Sequence, residues 1–377
     1  MTTPAQHGSS NPSIPTVGNG SGIEAEKQLH PEELQLALRN KAMPLEALYY
    51  DVTPTGMHYT LIHYDIPFVD PASWRLDLHG QMRKTLSLSI EELQQRPVRT
   101  LRVTLECAGD GRALLHPRPI SQPWLTGAVG TALWTGTPLR YLLEEAGVAD
   151  GNGVQDIIFT GLDRGIEGGL EQDYQRSLPL QTALHEDVLL AWAMNGSPLE
   201  PQHGYPVRLI VPGWYGMAHV KWLRSIEAIS YNFEGYQQSV AYRYSQSRNE
   251  PGEPVSLMRV RSLMAPPGIP DFLTRTRLVP HGEVRLSGRA WSGAGRITTV
   301  EVSVDGCTTW TPAALDEPTD EHGWQFWSYT WDASALGPYE LSCRARDSAG
   351  NVQPVEQFWT ARGMGNNAVQ RVPVVVV

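Results

Sequence analysis

The chain has 377 residues, with 40 acidic against 30 basic side chains and a formal net charge of −10. That excess of acid argues against a general nucleic-acid binder, which must displace counterions from phosphates. The longest unbroken apolar run, Val188–Met194, falls far short of the ~20 residues that cross a bilayer, and three cysteines cannot make a disulfide scaffold. What remains is a soluble globular chain whose 41% apolar residues can fill the cores of two or three domains.

The first 22 residues are Pro, Gly, Ser and Asn with few apolar partners, and a disordered tail is expected over residues 1–30. No basic stretch followed by an apolar one is visible there, so a cytoplasmic protein is expected, or a periplasmic one if a leader has been removed. Residues 31–40 repeat leucine at helical spacing behind Pro31. Trp74 to His79 alternates as a strand, and Ser89 with Glu92 forms a capping box ahead of a short helix. Residues 98–107 alternate again and place Leu101, Val103, Leu105 and Cys107 on one face. Thr137-Pro138 opens a helix that stops at Gly147. Strands are expected over Ile157 to Leu162, Val188 to Ala193 and Val207 to Val211, with Asn195-Gly196 as a turn.

The texture changes near residues 246–282, which are rich in Pro, Gly and charge and read as a connection. Beyond it, runs such as EVRLSGRAWSG, TTVEVSVDG and YELSCRARD alternate with period two. Short strands at this spacing predict an immunoglobulin-like β-sandwich of about 110 residues. The expected fold class is therefore α+β: a mixed domain over 31–250, then the sandwich over 251–377.

Cys107 closes its strand and is followed by Ala-Gly-Asp-Gly-Arg, a turn that can present a thiol to a pocket with Arg112 beside it. A neighbouring guanidinium favours the thiolate, as a nucleophile or metal ligand needs. Free cysteine is also among the most buried residue types, so these residues alone favour core filler.

LECAGDGR and PISQPWLTGAVGTALWTG, then LLAWAMNGSPLEPQHGYPVRLIVPGWYGMAHVKWL, and finally GRAWSG, VEVSVDG, RARDSAGNVQP and WTARG resemble the motifs of the sulfite oxidase family of molybdopterin enzymes, in order and over residues ~55–363. The resemblance implies a molybdopterin-binding domain followed by a dimerisation domain, and oxidation of sulfite to sulfate. It assigns Cys107 as the thiolate ligand of molybdenum, and Arg112 and Arg362 as guanidinium forks for an oxyanion. Tyr242, 21 residues after Lys221, corresponds to the active-site tyrosine, with Tyr244 as a competitor, and Trp124 to a funnel tryptophan. His203, Arg208 and Lys221 correspond to anchors of the pterin phosphate, Asp163 to an acid facing the pterin edge, and His63 to the histidine of an Arg-Asn-His triplet.

That triplet here reads Leu61-Ile62-His63, so one cation of the anion pocket is missing, and Asp110 stands where the family has Asn. The loss allows a less charged substrate. A reductase of a sulfoxide, nitrate or another oxo donor stays open beside sulfite oxidation, as does a cofactor-free binding protein. The resemblance further implies a homodimer and a separate electron acceptor such as a cytochrome. No haem domain and no iron–sulfur cluster is expected, the latter because four ligands are lacking. Cys307 and Cys343 are expected as free thiols, a disulfide between them being the other possibility.

Overall fold

The computed structural model describes residues 29–148, 153–247 and 249–377. The tail expected over 1–30 therefore lies, but for its last two residues, outside the described residues. The first helix, Pro31–Arg39, begins with Pro at its first turn. Ser89 accepts from the Glu92 N–H and Glu92 answers to the Ser89 N–H, so the helix Ile90–Gln94 starts on the expected reciprocal cap. Helix Leu139–Ala146 ends at Gly147 in the left-handed conformation.

Two five-stranded sheets form the first half. One runs Leu86–Leu88, Leu76–Gly80, Leu223–Ile229, Asp156–Glu167, Leu170–Pro179. In it, Leu76–Gly80 lies parallel to Leu223–Ile229, and the other pairs are antiparallel. The other sheet joins Arg99–Glu106, Val129–Pro138, Leu189–Met194 and Ser197–Pro198, with Arg208–Ile210 pairing against Leu189–Met194. The Asn195-Gly196 turn has positive φ at both residues, as a two-residue hairpin needs. Strand Val129–Pro138 and the hairpin partner Leu170–Pro179 were not read from the sequence. The first is buried on both faces and the second carries polar residues on both, so neither alternates.

The second half is a sandwich of a four-stranded and a six-stranded sheet closed over Leu286, Val300, Trp327, Leu341, Cys343 and Val374, an α+β molecule with an immunoglobulin-like second part as expected. The supposed connection is less empty than it reads. Residues 246–282 contain the fully buried strand Arg261–Ala265, which pairs with Gly282–Trp291, and Arg277–Val279, which runs parallel to Val372–Val376. Proline and glycine at the ends of these short strands masked them. Among the described residues no helix is long and apolar enough to cross a membrane.

The halves are joined around one turn. Arg261, from the sandwich, is 2% exposed and donates to Glu106 at 2.8 Å and lies 3.0 Å from Asp110. Trp291 donates its indole N–H to the other Glu106 oxygen. The Gly365 N–H donates to the Ala108 carbonyl, and the Asn366 amide to the Gly111 carbonyl. Residues from three stretches of the sandwich thus brace the loop that follows Cys107.

Candidate active site

Cys107 leaves the end of strand Arg99–Glu106 with its N–H bonded to the Ala128 carbonyl, and the chain then turns back so that the Asp110 N–H reaches the Cys107 carbonyl. Gly111 takes φ +81°, which a side chain would oppose, and starts the short turn Arg112–Leu114. Gly109 has a different reason: a Cβ there would lie 2.5 Å from the Arg112 guanidinium, which folds back across it. Arg112 donates to the carbonyls of Arg362 (3.1 Å) and Gln122 (3.0 Å). Two arginines 250 positions apart in sequence are thereby side by side.

Two cavities meet at this point. The inner one is lined by Asp163, His203, Arg208 and Lys221, all anticipated, together with His58 and His219, which were not. The outer cleft, about 320 Å³, is lined by Arg112, Trp124 and Arg362. Leu61, His63, Cys107 and Tyr242 face both. All ten residues singled out from the sequence therefore line one cavity or the other. Tyr244 lines neither. It packs against Phe358 and under Arg259, so of the two competing tyrosines Tyr242 is the one at the cavities.

The inner cavity is crowded with basic groups. Arg208 donates to the carbonyls of His203 and His219 and lies over the Trp134 ring, and burial draws its pKa down to about 10. Lys221 donates to the carbonyls of Leu61 (2.7 Å) and Gln202 (3.1 Å). Burial first, and then the Arg208 charge, pull it down to about 7. His203 is pushed to about 3 and His58 to about 4, by burial and neighbouring cationic side chains. His219 falls to about 3 for the same reasons, its Nδ1 accepting from the Val211 N–H. Asp163 is raised by burial to about 6 despite Lys221 nearby.

Arg208 Nε, His58 Nε2 and Asp163 Oδ1 are buried there without a hydrogen-bond partner. Unpaired buried polar atoms of this kind cost stability unless a ligand meets them. Donors that satisfy a phosphate, one acid for a pterin's N–H edge, and a soft sulfur at the end suit a molybdopterin group. The residues fit it.

The thiol itself departs from the sequence argument. Burial raises the Cys107 pKa, and Arg112 offsets this only in part. Burial likewise holds the Tyr242 phenol well above its usual value, so it stays protonated. Tyr242 follows a single π-type turn, Gln237–Ala241, and the Arg176 guanidinium lies 5.7 Å from its ring centre. Arg176, Glu167 and Gln237 are further members of this neighbourhood without any local sequence signal. His219 stood within the quoted AHVKW stretch and could have been named. Cys307 and Cys343 are both free thiols, Cys307 donating to the Ser342 hydroxyl.

Residues 63–237 match the oxidoreductase molybdopterin binding domain, and residues 254–377 the Mo-co oxidoreductase dimerisation domain. Sulfite oxidase of Gallus gallus is 36% identical over 343 residues, 85% of this chain and 72% of that protein. A nitrate reductase [NAD(P)H] of Hordeum vulgare is 31% identical over 96% of this chain but only 44% of its own length. The crystal structure of the sulfane dehydrogenase SoxCD from Paracoccus pantotrophus superposes with a TM-score of 0.76 at 25% identity, over 96% of both chains. The chain belongs to the sulfite oxidase family of molybdopterin-dependent oxidoreductases.

Proposed function

We propose that this enzyme oxidises sulfite to sulfate, adding one oxygen atom from water and releasing two protons and two electrons. The observation that supports it most is the position of the Cys107 sulfur, with buried basic groups behind it and two arginines in front. A molybdenum–molybdopterin group bound in the inner cavity supplies two-electron redox chemistry coupled to oxygen-atom transfer. Cys107 holds the metal through sulfur. Arg208, Lys221 and His203 hold the pterin phosphate, Asp163 accepts from the pterin edge, and His63 closes the wall between the cavities.

In the cleft, Arg112 and Arg362 bind the oxyanion. Arg112 is fixed by backbone carbonyls rather than by a carboxylate, so its charge is left for the ligand. Tyr242, kept protonated, donates a hydrogen bond to a substrate oxygen. Trp124 lines the approach of the substrate. The two parts of the chain, 31–250 and 251–377, are read as catalytic and dimerising, and the assembly as a homodimer. Electrons leave to a separate acceptor such as a cytochrome. Membership of an enzyme family leaves no case for a cofactor-free binding protein.

Steady-state oxidation of sulfite with ferricyanide, alongside elemental analysis, tests this reading. Cys107→Ser is expected to lower turnover by a hundredfold or more, about 3 kcal/mol in barrier terms. Full activity in that variant overturns the assignment. Leu61 in the cleft favours one second reading, reduction of nitrate or another oxo donor, which the same preparation checks with a reduced dye.

A further inference from the structure

We propose that Glu167, acting with Leu61, tunes the cleft to singly charged sulfur oxyanions bearing an apolar substituent, organic sulfinates, in preference to dianions. This rests on the reading of the cleft as an oxyanion site. Glu167 stands at the tip of the hairpin Asp156–Glu167 and Leu170–Pro179 and lines the same cleft as Arg112 and Arg362. Its Oε2 accepts from His63 (2.9 Å), Gln237 (2.7 Å) and Tyr64 (3.3 Å). Burial works to raise its pKa, and these bonds overcome it, so the carboxyl lies below its usual value and carries a full negative charge.

Three donors hold that charge in one orientation beside the ligand. A cleft with two arginines, a fixed carboxylate and Leu61 where a third cation would stand balances one negative charge better than two. The rest of the lining is mixed, with Asn40, Ser121 and Gln122 beside an apolar side formed by Leu36, Ile120 and Ile166. Ile120 and Ile166 line the cleft and are 50% and 77% exposed, so an apolar group on the sulfur can cover part of that surface and leave water. The reaction balances as R–SO₂⁻ plus water giving R–SO₃⁻, two protons and two electrons. The new S–O bond takes its oxygen from water, the protons pass to solvent and the electrons to two one-electron acceptors, ferricyanide in the assay.

Holoenzyme titrated calorimetrically with methanesulfonate and with sulfate, near-isosteric product-type anions of one and two charges, tests the proposal. Wild type is expected to bind methanesulfonate several-fold more tightly at low salt, and to show a higher kcat/KM for methanesulfinate than for sulfite. Glu167→Gln, which keeps an acceptor for His63, is expected to tighten sulfate binding about tenfold while changing methanesulfonate by less than about twofold, a gap that narrows as salt screens it. Glu167→Asp keeps the charge and the wild-type preference. Tighter sulfate than methanesulfonate in wild type, or equal changes for both anions in Glu167→Gln, overturns the proposal while sulfite oxidation stands. If neither anion binds and no sulfur compound is oxidised, the oxyanion reading falls and takes this one with it.

Discussion

The inner cavity and the outer cleft share Cys107 and Tyr242, yet they differ in how far their charged groups open to water. Behind the thiol, burial drives Lys221 to about 7 and Arg208 to about 10 and leaves Arg208 Nε without a partner. In front of it, Arg112 is buried and held by carbonyls as Arg208 is, but the Glu167 carboxylate in the same cleft is within reach of water. A wall of buried basic groups in which Arg208 Nε and His58 Nε2 lack partners is costly when empty and suits a resident group that seldom leaves. A half-open cleft of mixed charge suits a ligand that enters and departs at each turnover.

The sharpest way to break that distinction is to remove one arginine from each side. A hydrogen bond to a charged group contributes roughly 1.5–3 kcal/mol, so Arg208→Gln is expected to weaken cofactor retention by about tenfold to a hundredfold, read as molybdenum content after dialysis. Arg362→Gln is expected to leave the metal content unchanged and to raise KM for sulfite by about tenfold. Loss of metal in the second variant, or only a KM effect in the first, merges the two sites into one.

The asymmetry also explains what the sequence made legible. Cys107 and Arg112 could be read locally, because the glycine turn that presents them is made by their immediate neighbours, whereas His203, Arg208 and Lys221 were legible only through the resemblance of their short motifs to those of the family. Glu167 and Arg176 lie on plain strand sequence, and only the pairing of the hairpin with Leu223–Ile229 brings them to the site. Arg261 was hidden for another reason. Its strand lies in a Pro- and Gly-rich stretch, and its meaning depends on Glu106 and Asp110, more than 150 positions away. The rise in the Cys107 pKa was unreadable because desolvation is a property of the packed site, whereas Arg112 is visible in the motif.

Restoring the missing cation sharpens the comparison from the outer side. The Leu61 side chain faces the cleft, while its carbonyl already serves Lys221 behind. Leu61→Arg is therefore expected to tighten sulfate and sulfite binding by about tenfold with molybdenum content unchanged, measured by calorimetry and elemental analysis. An equal fall in metal content shows that the new charge has repelled Lys221 and that the wall between the cavities is not independent.

The smallest effect concerns protons on the inner side. Lys221 sits at about 7 in the folded chain against 10.5 when free, so between these values the unfolded chain binds more protons and stability of the cofactor-free protein rises with pH. A bound phosphate reverses the sense: its charge favours the ammonium form and lifts the Lys221 pKa again. Binding then takes up a proton above about pH 7, and cofactor affinity is expected to fall as pH rises through that window. Lys221→Met should flatten both slopes, the stability slope in thermal melts of the cofactor-free protein and the affinity slope in cofactor retention measured against pH. Slopes that survive the substitution would assign the proton elsewhere. His203 and His219, already neutral down to about 3, cannot be its source near neutrality.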